Sequence, residues 1–270
     1  MKDYLSKIIP IAIKAGEAIM DIYHSADFGV EMKSDNSPLT LADRASHDII
    51  VKGLKKEFPD IPVLSEEGKD IPYEERKNWE KFWLVDPLDG TKEFIKKNDE
   101  FTVNIALIEN NDAVLGVIYA PALEDGNNGG VDPSEIDFPA IHLKYGTLYF
   151  GGKGFGAYKK IKDGALYKIE VNKNTNGNII AVRSRSHASP EEEKVFEKSG
   201  VTETISAGSS IKFCRVAEGS AHVYYRHGPT NEWDVGAGYA IAKAAGAIIE
   251  GLQFNKENLL NGSFTVRSIH

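Results

Sequence analysis

The stretch Trp83-Leu84-Val85-Asp86-Pro87-Leu88-Asp89-Gly90-Thr91-Lys92 governs the reading of the whole chain. An apolar run stops at an acid, a proline, a second acid, a glycine and a hydroxyl. That order predicts a strand over residues 82–85 ending at a tight loop with charged groups at its tip. Two carboxylates three residues apart, on a backbone that Pro87 stiffens, suit a hard divalent cation such as Mg²⁺. Gly90 and Thr91 can offer backbone N–H groups and a hydroxyl to a phosphate or a water. A bare D-x-x-D-G is more often a strand end with surface acids. Here the acids directly follow a buried-looking strand, and both readings stand at this point.

Upstream, Leu5, Ile8, Ile9, Ala12, Ile13, Ile19, Ile22 and Tyr23 recur at helical spacing and predict a helix over 3–24. Thr40-Leu41-Ala42-Asp43 opens a second helix with Leu41, Ala45, Ile50 and Leu54 on its apolar face. Asp43 suits the start of that helix as a plain first-turn acid. Pro62 to Leu64 reads as a short strand running into Glu66 and Glu67. Downstream, residues 101–108 and 114–119 alternate as strands, with Glu109 to Asp112 as their hairpin loop. The sheet beside the acidic loop is therefore at least partly antiparallel. Residues 124–146, rich in Gly, Asp, Asn and Pro, read as an inserted surface loop. Gly151-Gly152-Lys153-Gly154 imitates a phosphate loop, but no helix pattern follows it and a turn between strands is the better reading.

A composition shift at 172–177 divides the chain into residues 1–172 and 173–270, expected to form one compact unit. In the second part a strand at 178–182 ends in Arg183-Ser184-Arg185-Ser186-His187. Ser206-Ala207-Gly208-Ser209-Ser210-Ile211-Lys212 has the small residues of a close-approach loop. Lys212 in the first turn of the next helix opposes the helix dipole, a conflict that an anionic ligand would relieve. A strand over 221–226 ends at Arg226, and Trp233-Asp234-Val235-Gly236 opens a helix rich in Ala and Gly.

The 270 residues suffice for a sizeable core, and 41% hydrophobic with 27% charged is ordinary for a globular protein. A formal net charge of -8 argues against nucleic acid or an anionic membrane as a non-specific partner. The single cysteine, Cys214, excludes an internal disulfide framework and fits a reducing compartment. The first ten residues do not form a signal peptide, and no apolar stretch is long enough to span a bilayer. A cytoplasmic location is expected.

Taken together, Asp86-Pro87-Leu88-Asp89-Gly90-Thr91 and Trp233-Asp234-Val235-Gly236-Ala237, with Glu66-Glu67 upstream, resemble the signature motifs of the inositol monophosphatase superfamily. Its members are Li⁺-sensitive, Mg²⁺-dependent phosphatases. Within it the chain is most similar to the 3′(2′),5′-bisphosphate nucleotidases. Residues 83–95, 101–107, Ser184 to His187, 208–214 and 228–231 carry that likeness. Thr91-Lys92-Glu93-Phe94 stands where an inositol monophosphatase would carry T-T-N-F.

The resemblance implies an α+β fold, a layered α-β-α-β-α sandwich with mixed, largely antiparallel sheets. It implies Glu66, Asp86, Asp89, Asp234 and the Leu88 carbonyl as ligands for two or three Mg²⁺ ions. Asp43 and Thr91 match the pair that orients and deprotonates the attacking water, beside Glu66. Gly90 and Thr91 would hold the scissile phosphate. Ser186, His187, Gly208, Ser209, Lys212 and Arg226 would read a bisphosphorylated nucleotide, with Asp234 at the border. The implied reaction is hydrolysis of adenosine 3′,5′-bisphosphate (PAP) to AMP and phosphate, with the phosphosulfate PAPS as a second substrate, in sulfur metabolism. The family also includes proteins peripheral on the cytoplasmic side of the inner membrane, although no anchor is visible here. Two other readings remain: an inositol or sugar phosphatase of the same superfamily, and a non-enzymatic Mg²⁺/nucleotide-responsive regulator. The complete carboxylate set speaks against the regulator.

Overall fold

The computed structural model describes residues 1–25, 27–33, 38–125, 138–185 and 189–269. In chain order these form α1 (Lys2–Tyr23), β1 (Glu31–Met32), β2 (Pro38–Leu39), α2 (Leu41–Glu57), β3 (Val63–Ser65), α3 (Tyr73–Arg76), β4 (Lys81–Asp89) and α4 (Thr91–Ile95). There follow β5 (Thr102–Glu109), β6 (Asp112–Ala120), β7 (Thr147–Gly152), β8 (Gly156–Ile161), β9 (Leu166–Ile169), β10 (Ile180–Arg183), α5 (Pro190–Lys198) and β11 (Glu203–Ser206). The chain closes with α6 (Ile211–Ala217), β12 (Val223–Arg226), β13 (Thr230–Asn231), α7 (Glu232–Ala244), β14 (Ile248–Glu250), β15 (Leu260–Asn261) and β16 (Phe264–Arg267).

Strands β3 to β9 line up in sequence order as one sheet, antiparallel except for the parallel β3–β4 pair. The β5–β6 hairpin turns on Asn110 and Asn111 alone, both left-handed with φ of 51° and 59°. This is the two-residue turn that matches strand twist, so the expected loop is two residues shorter than its sequence suggests. The second sheet runs β11-β10-β12-β16-β14, with its first three strands parallel. The architecture is thus α+β with mixed, largely antiparallel sheets, as the sequence led us to expect.

Burial follows from the strands. From Phe82 to Leu88 every residue of β4 is buried, which requires cover on both faces. Trp83 and Val85 join Leu5 and Ile8 of α1 in one core. Phe82 and Leu84 join Val235 and Ala237 of α7 in another. Helices α1 and α2 cover one face, and α6 and α7 lie between the two sheets. Phe196 of α5 closes the outer side with Ala181 and Val223. The layers are therefore α-β-α-β-α. No described helix is long and apolar enough to cross a membrane.

Two local expectations change. Strand β4 does not stop at Asp86; it continues to Asp89 with a bulge, since Asp86 pairs with Asn104 but Asp89 with Thr102. Pro87 has no N–H for the ladder, and the Leu88 N–H turns to Asp86 Oδ1 at 3.0 Å instead. On α2 the apolar face includes Ala42, while Leu41 is 47% exposed. As the first helical residue, Leu41 precedes the turn that faces the core. Of the segment 124–146, residues 126–137 lie outside the described residues.

Candidate active site

Strand alternation builds the acidic centre. Asp86 continues the Phe82–Leu84 row, so its carboxylate faces α7 rather than α1. Strand β3 runs parallel to β4, and the Glu66 N–H donates to the Val85 carbonyl at 3.1 Å, which sets Glu66 beside Asp86. The first turn of α7 brings Asp234. One carboxylate oxygen from each of Glu66, Asp86 and Asp234 lies within 4.8 Å of the others.

Burial pushes the Asp86 carboxyl well above the usual range, and the charges of Glu66, Asp89 and Asp234 add to it. Asp234 is raised in the same way by burial, Asp89 and Glu66. Burial also raises Glu66, against the opposing pull of Lys33. Like charges gathered out of water are costly unless a cation sits among them. The group is all oxygen, with no imidazole or thiolate, and could hold a hard divalent ion. The Lys33 ammonium already supplies a cation at its edge, 2.9 Å from Glu66 Oε1 and hydrogen-bonded to Glu67.

Asp89 lies outside that group of three. Its Oδ2 accepts from Ser210 Oγ at 2.7 Å and from Asn104 Nδ2 at 3.3 Å. The Leu88 carbonyl accepts from Thr91 Oγ1 at 3.3 Å. The same hydroxyl lies 3.2 Å from Asp43 Oδ1. Asp43 Oδ2 accepts from the Thr40 N–H at 2.7 Å and the Thr40 hydroxyl at 2.5 Å, closing a capping box on α2. The cap and the Thr91 contact thus fall on different oxygens of one buried side chain. Asp234 repeats the arrangement: its Oδ2 caps α7 by accepting from the Asn231 N–H at 2.9 Å. Gly90 has φ +91°, and a Cβ there would stand 2.1 Å from Ser209 Oγ, so only glycine fits.

Beside this centre is a recess of about 140 Å³ walled by Asp89, Gly90, Ser209, Lys212, Arg226 and Asp234. Gly208 also lines it. Lys212 Nζ donates to the Ser209 carbonyl at 2.7 Å and sits 5.7 Å from the Tyr224 ring centre. Burial lowers its pKa, while the Asp89 charge partly opposes this. Arg226 Nε is buried without a partner. Neither Lys212 nor Arg226 forms an ion pair among the described residues. Arg185 pairs with Glu100 as a surface fork, Nε to Oε2 at 2.6 Å and Nη2 to Oε1 at 2.8 Å. Ser186 and His187 lie outside the described residues.

A model of the inositol monophosphatase family matches residues 1–269 of this sequence. The chain belongs to that family. A family relative from Escherichia coli O157:H7, named 3′(2′),5′-bisphosphate nucleotidase CysQ, is 43% identical over 270 residues, covering 97% of this chain and 98% of the relative. The Haemophilus influenzae protein of the same name is 36% identical over 272 residues, covering 97% and 91%. The crystal structure of CysQ from Bacteroides thetaiotaomicron superposes with a TM-score of 0.80 at 41% identity, over 99% of this chain and 97% of that one. A Thermotoga maritima inositol monophosphatase shares the fold at TM-score 0.73 and 23% identity, covering 98% and 92%.

Sequence reading passed over three family-site neighbours. Lys33 stood in a polar loop with nothing to point it at Glu66. Asn104 carried a signal, an amide inside an otherwise apolar strand; its Nδ2 donates to Ser210 Oγ at 2.8 Å. Glu100 carried none.

Proposed function

We propose that this protein is a Mg²⁺-dependent 3′(2′),5′-bisphosphate nucleotidase that hydrolyses PAP to AMP and phosphate, with PAPS as a second substrate. One observation carries this choice within the family: Lys212 and Arg226 stand without carboxylate partners, among the described residues, in a recess whose wall includes Asp89 and Asp234. A substrate with one phosphate is served by the acidic centre and its ions. A second phosphate calls for fixed cations a short distance away. The names of the relatives above support the same reading. The physiological role would be removal of a by-product of sulfate assimilation or sulfotransfer, in the cytoplasm.

Glu66, Asp86, Asp89, Asp234 and the Leu88 carbonyl would hold two or three Mg²⁺ ions. Bound Mg²⁺ supplies neutralisation of phosphoryl charge and acidification of water. The rest falls to the chain. The Gly90 and Thr91 N–H groups would orient the scissile phosphate. The Thr91 hydroxyl, donating to Asp43 Oδ1, would accept the hydrogen bond of the attacking water, and the proton would pass to Asp43. Lys212 and Arg226 would hold the other phosphate, and the Gly208–Ser209 segment with Ser186 and His187 the nucleoside. Residues 1–172 would thus carry the chemistry and 173–270 the choice of substrate, Asp234 serving both.

The test is phosphate release from PAP with Mg²⁺ and with EDTA, in the wild type and in Asp89→Asn. We expect turnover only with Mg²⁺, lost by orders of magnitude in the variant. Unchanged turnover in the variant would refute the ligand assignment. Turnover of Mg²⁺-free protein would refute the metal dependence.

A further inference from the structure

Glu100 occupies the turn between α4 and β5, outside the acidic centre and outside the recess wall. It nevertheless touches the substrate loop at two points and Arg185 at a third. Its backbone carbonyl accepts from Ser209 Oγ at 2.6 Å. Its Oε2 accepts from the Gly208 N–H at 2.9 Å. The same carboxylate takes the Arg185 fork described above, and Glu100 itself is only 12% exposed. Ser209 Oγ also lies 3.0 Å from the Asp89 carbonyl, so one hydroxyl is shared between the metal loop and the Glu100 turn. There is no slack in this contact: a Cβ on Gly208 would stand 2.9 Å from both Glu100 Cβ and Glu100 O. The Ser209 carbonyl, fixed in this way, is the acceptor that aims Lys212.

We propose that Glu100 is a positioning residue for the second phosphate: it sets the distance and orientation of the Gly208–Ser209–Lys212 segment relative to the Asp89–Gly90 loop. The physical basis is preorganisation. A loop held in its binding geometry spends no substrate-binding energy on ordering itself. A charge-assisted bond to a backbone N–H and a two-pronged arginine pair are the strong, directional kinds of hydrogen bond. An exposed ion pair at this place would contribute little by itself. The value of Glu100 lies in holding three elements at once: the turn before β5, the end of β10 and the loop before α6. The inference rests on the bisphosphate nucleotidase reading, since only a substrate reaching both the ions and Lys212 senses that spacing.

The experiment compares wild type, Glu100→Gln and Glu100→Ala for kcat and KM with PAP at saturating Mg²⁺. Inhibition by inorganic phosphate, the reaction product that the acidic centre and its ions would hold, is measured alongside. We expect Glu100→Ala to raise KM for PAP about ten-fold or more, with kcat within about three-fold and phosphate inhibition within about two-fold of wild type. Glu100→Gln keeps an oxygen acceptor for the Gly208 N–H and should recover most of the loss, leaving KM about two- to three-fold raised. If Glu100→Ala does not fold, the raised KM of Glu100→Gln at unchanged kcat carries the test. An unchanged KM in either soluble variant overturns the inference. So does a joint fall of kcat, PAP affinity and phosphate inhibition, which would mark damage to the acidic centre. A wild type that does not turn over PAP overturns the substrate reading and this inference with it, and is distinguished by needing no variant.

Discussion

Asp86→Asn should strengthen the metal-free protein and abolish its response to Mg²⁺. Asp86 is 1% exposed and sits within 4.8 Å of carboxylate oxygens of Glu66 and Asp234. Two ionised groups at that spacing repel by about 3.5 kcal/mol at an effective dielectric near 20. Protonation within the group and the Lys33 ammonium relieve much of this, so neutralising Asp86 should return about 1–2 kcal/mol. Asparagine keeps an oxygen to accept the Leu88 N–H, so the bulge of β4 survives the change. For 270 residues the unfolding entropy is about 0.57 kcal/mol per kelvin, and the metal-free variant should melt about 2–4 °C above wild type at pH 7.5. Mg²⁺ at a hundred times its Kd stabilises wild type by about 2.7 kcal/mol, or about 5 °C. The variant should show almost none of that rise. Scanning calorimetry of both proteins, with EDTA and with Mg²⁺, gives all four temperatures. A variant that melts lower than wild type in EDTA, or that keeps the full Mg²⁺ rise, would refute the reasoning.

Gly90→Ala should cost about 1–3 kcal/mol, because the residue has φ +91° and its new Cβ would strike Ser209 Oγ; adding Ser209→Ala should return part of that in urea unfolding. Asp43→Ala, which removes both oxygens, should lower both kcat, by about 10²-fold, and stability, by about 1 kcal/mol, since one oxygen faces Thr91 and the other the α2 cap; loss of only one property would contradict the dual role. Asp125 is half-buried against Arg215 and Lys159; burial alone would raise its carboxyl, but the Arg215 bonds and both cations hold it down at about 2. A depressed carboxylate pKa gives stability that is present above the unfolded value near 3.9 and lost as pH falls towards about 2. Acid unfolding of Asp125→Asn should therefore start from a lower plateau and be flatter than wild type in that window, as followed by circular dichroism.

The sequence was most legible where chemistry is local. The two acids around Pro87, the glycine after them and the tryptophan–aspartate pair announce themselves within a few residues. The hairpin around Asn110–Asn111 is of the same kind. What failed was local as well: Pro87 suggested a strand end, but the antiparallel partner β5 carries the pairing past it through a bulge. Asp43 looked like a plain first-turn acid because the sequence does not show that one oxygen of its carboxylate caps α2 while the other faces the Thr91 hydroxyl. The partners of Lys33 and Glu100 were invisible for another reason. Each contact joins segments distant in sequence, and its existence depends on how the sheets and helices stack. Periodicity reports which face of an element is buried, not what lies opposite.

The most direct test of the substrate reading is the ratio of kcat/KM for PAP to that for inositol 1-phosphate, measured at saturating Mg²⁺ with the same protein preparation. Two charge-assisted contacts from Lys212 and Arg226, at about 1.5–3 kcal/mol each, predict a preference for PAP of at least about a hundred-fold. Equal or faster turnover of inositol 1-phosphate would contradict the account.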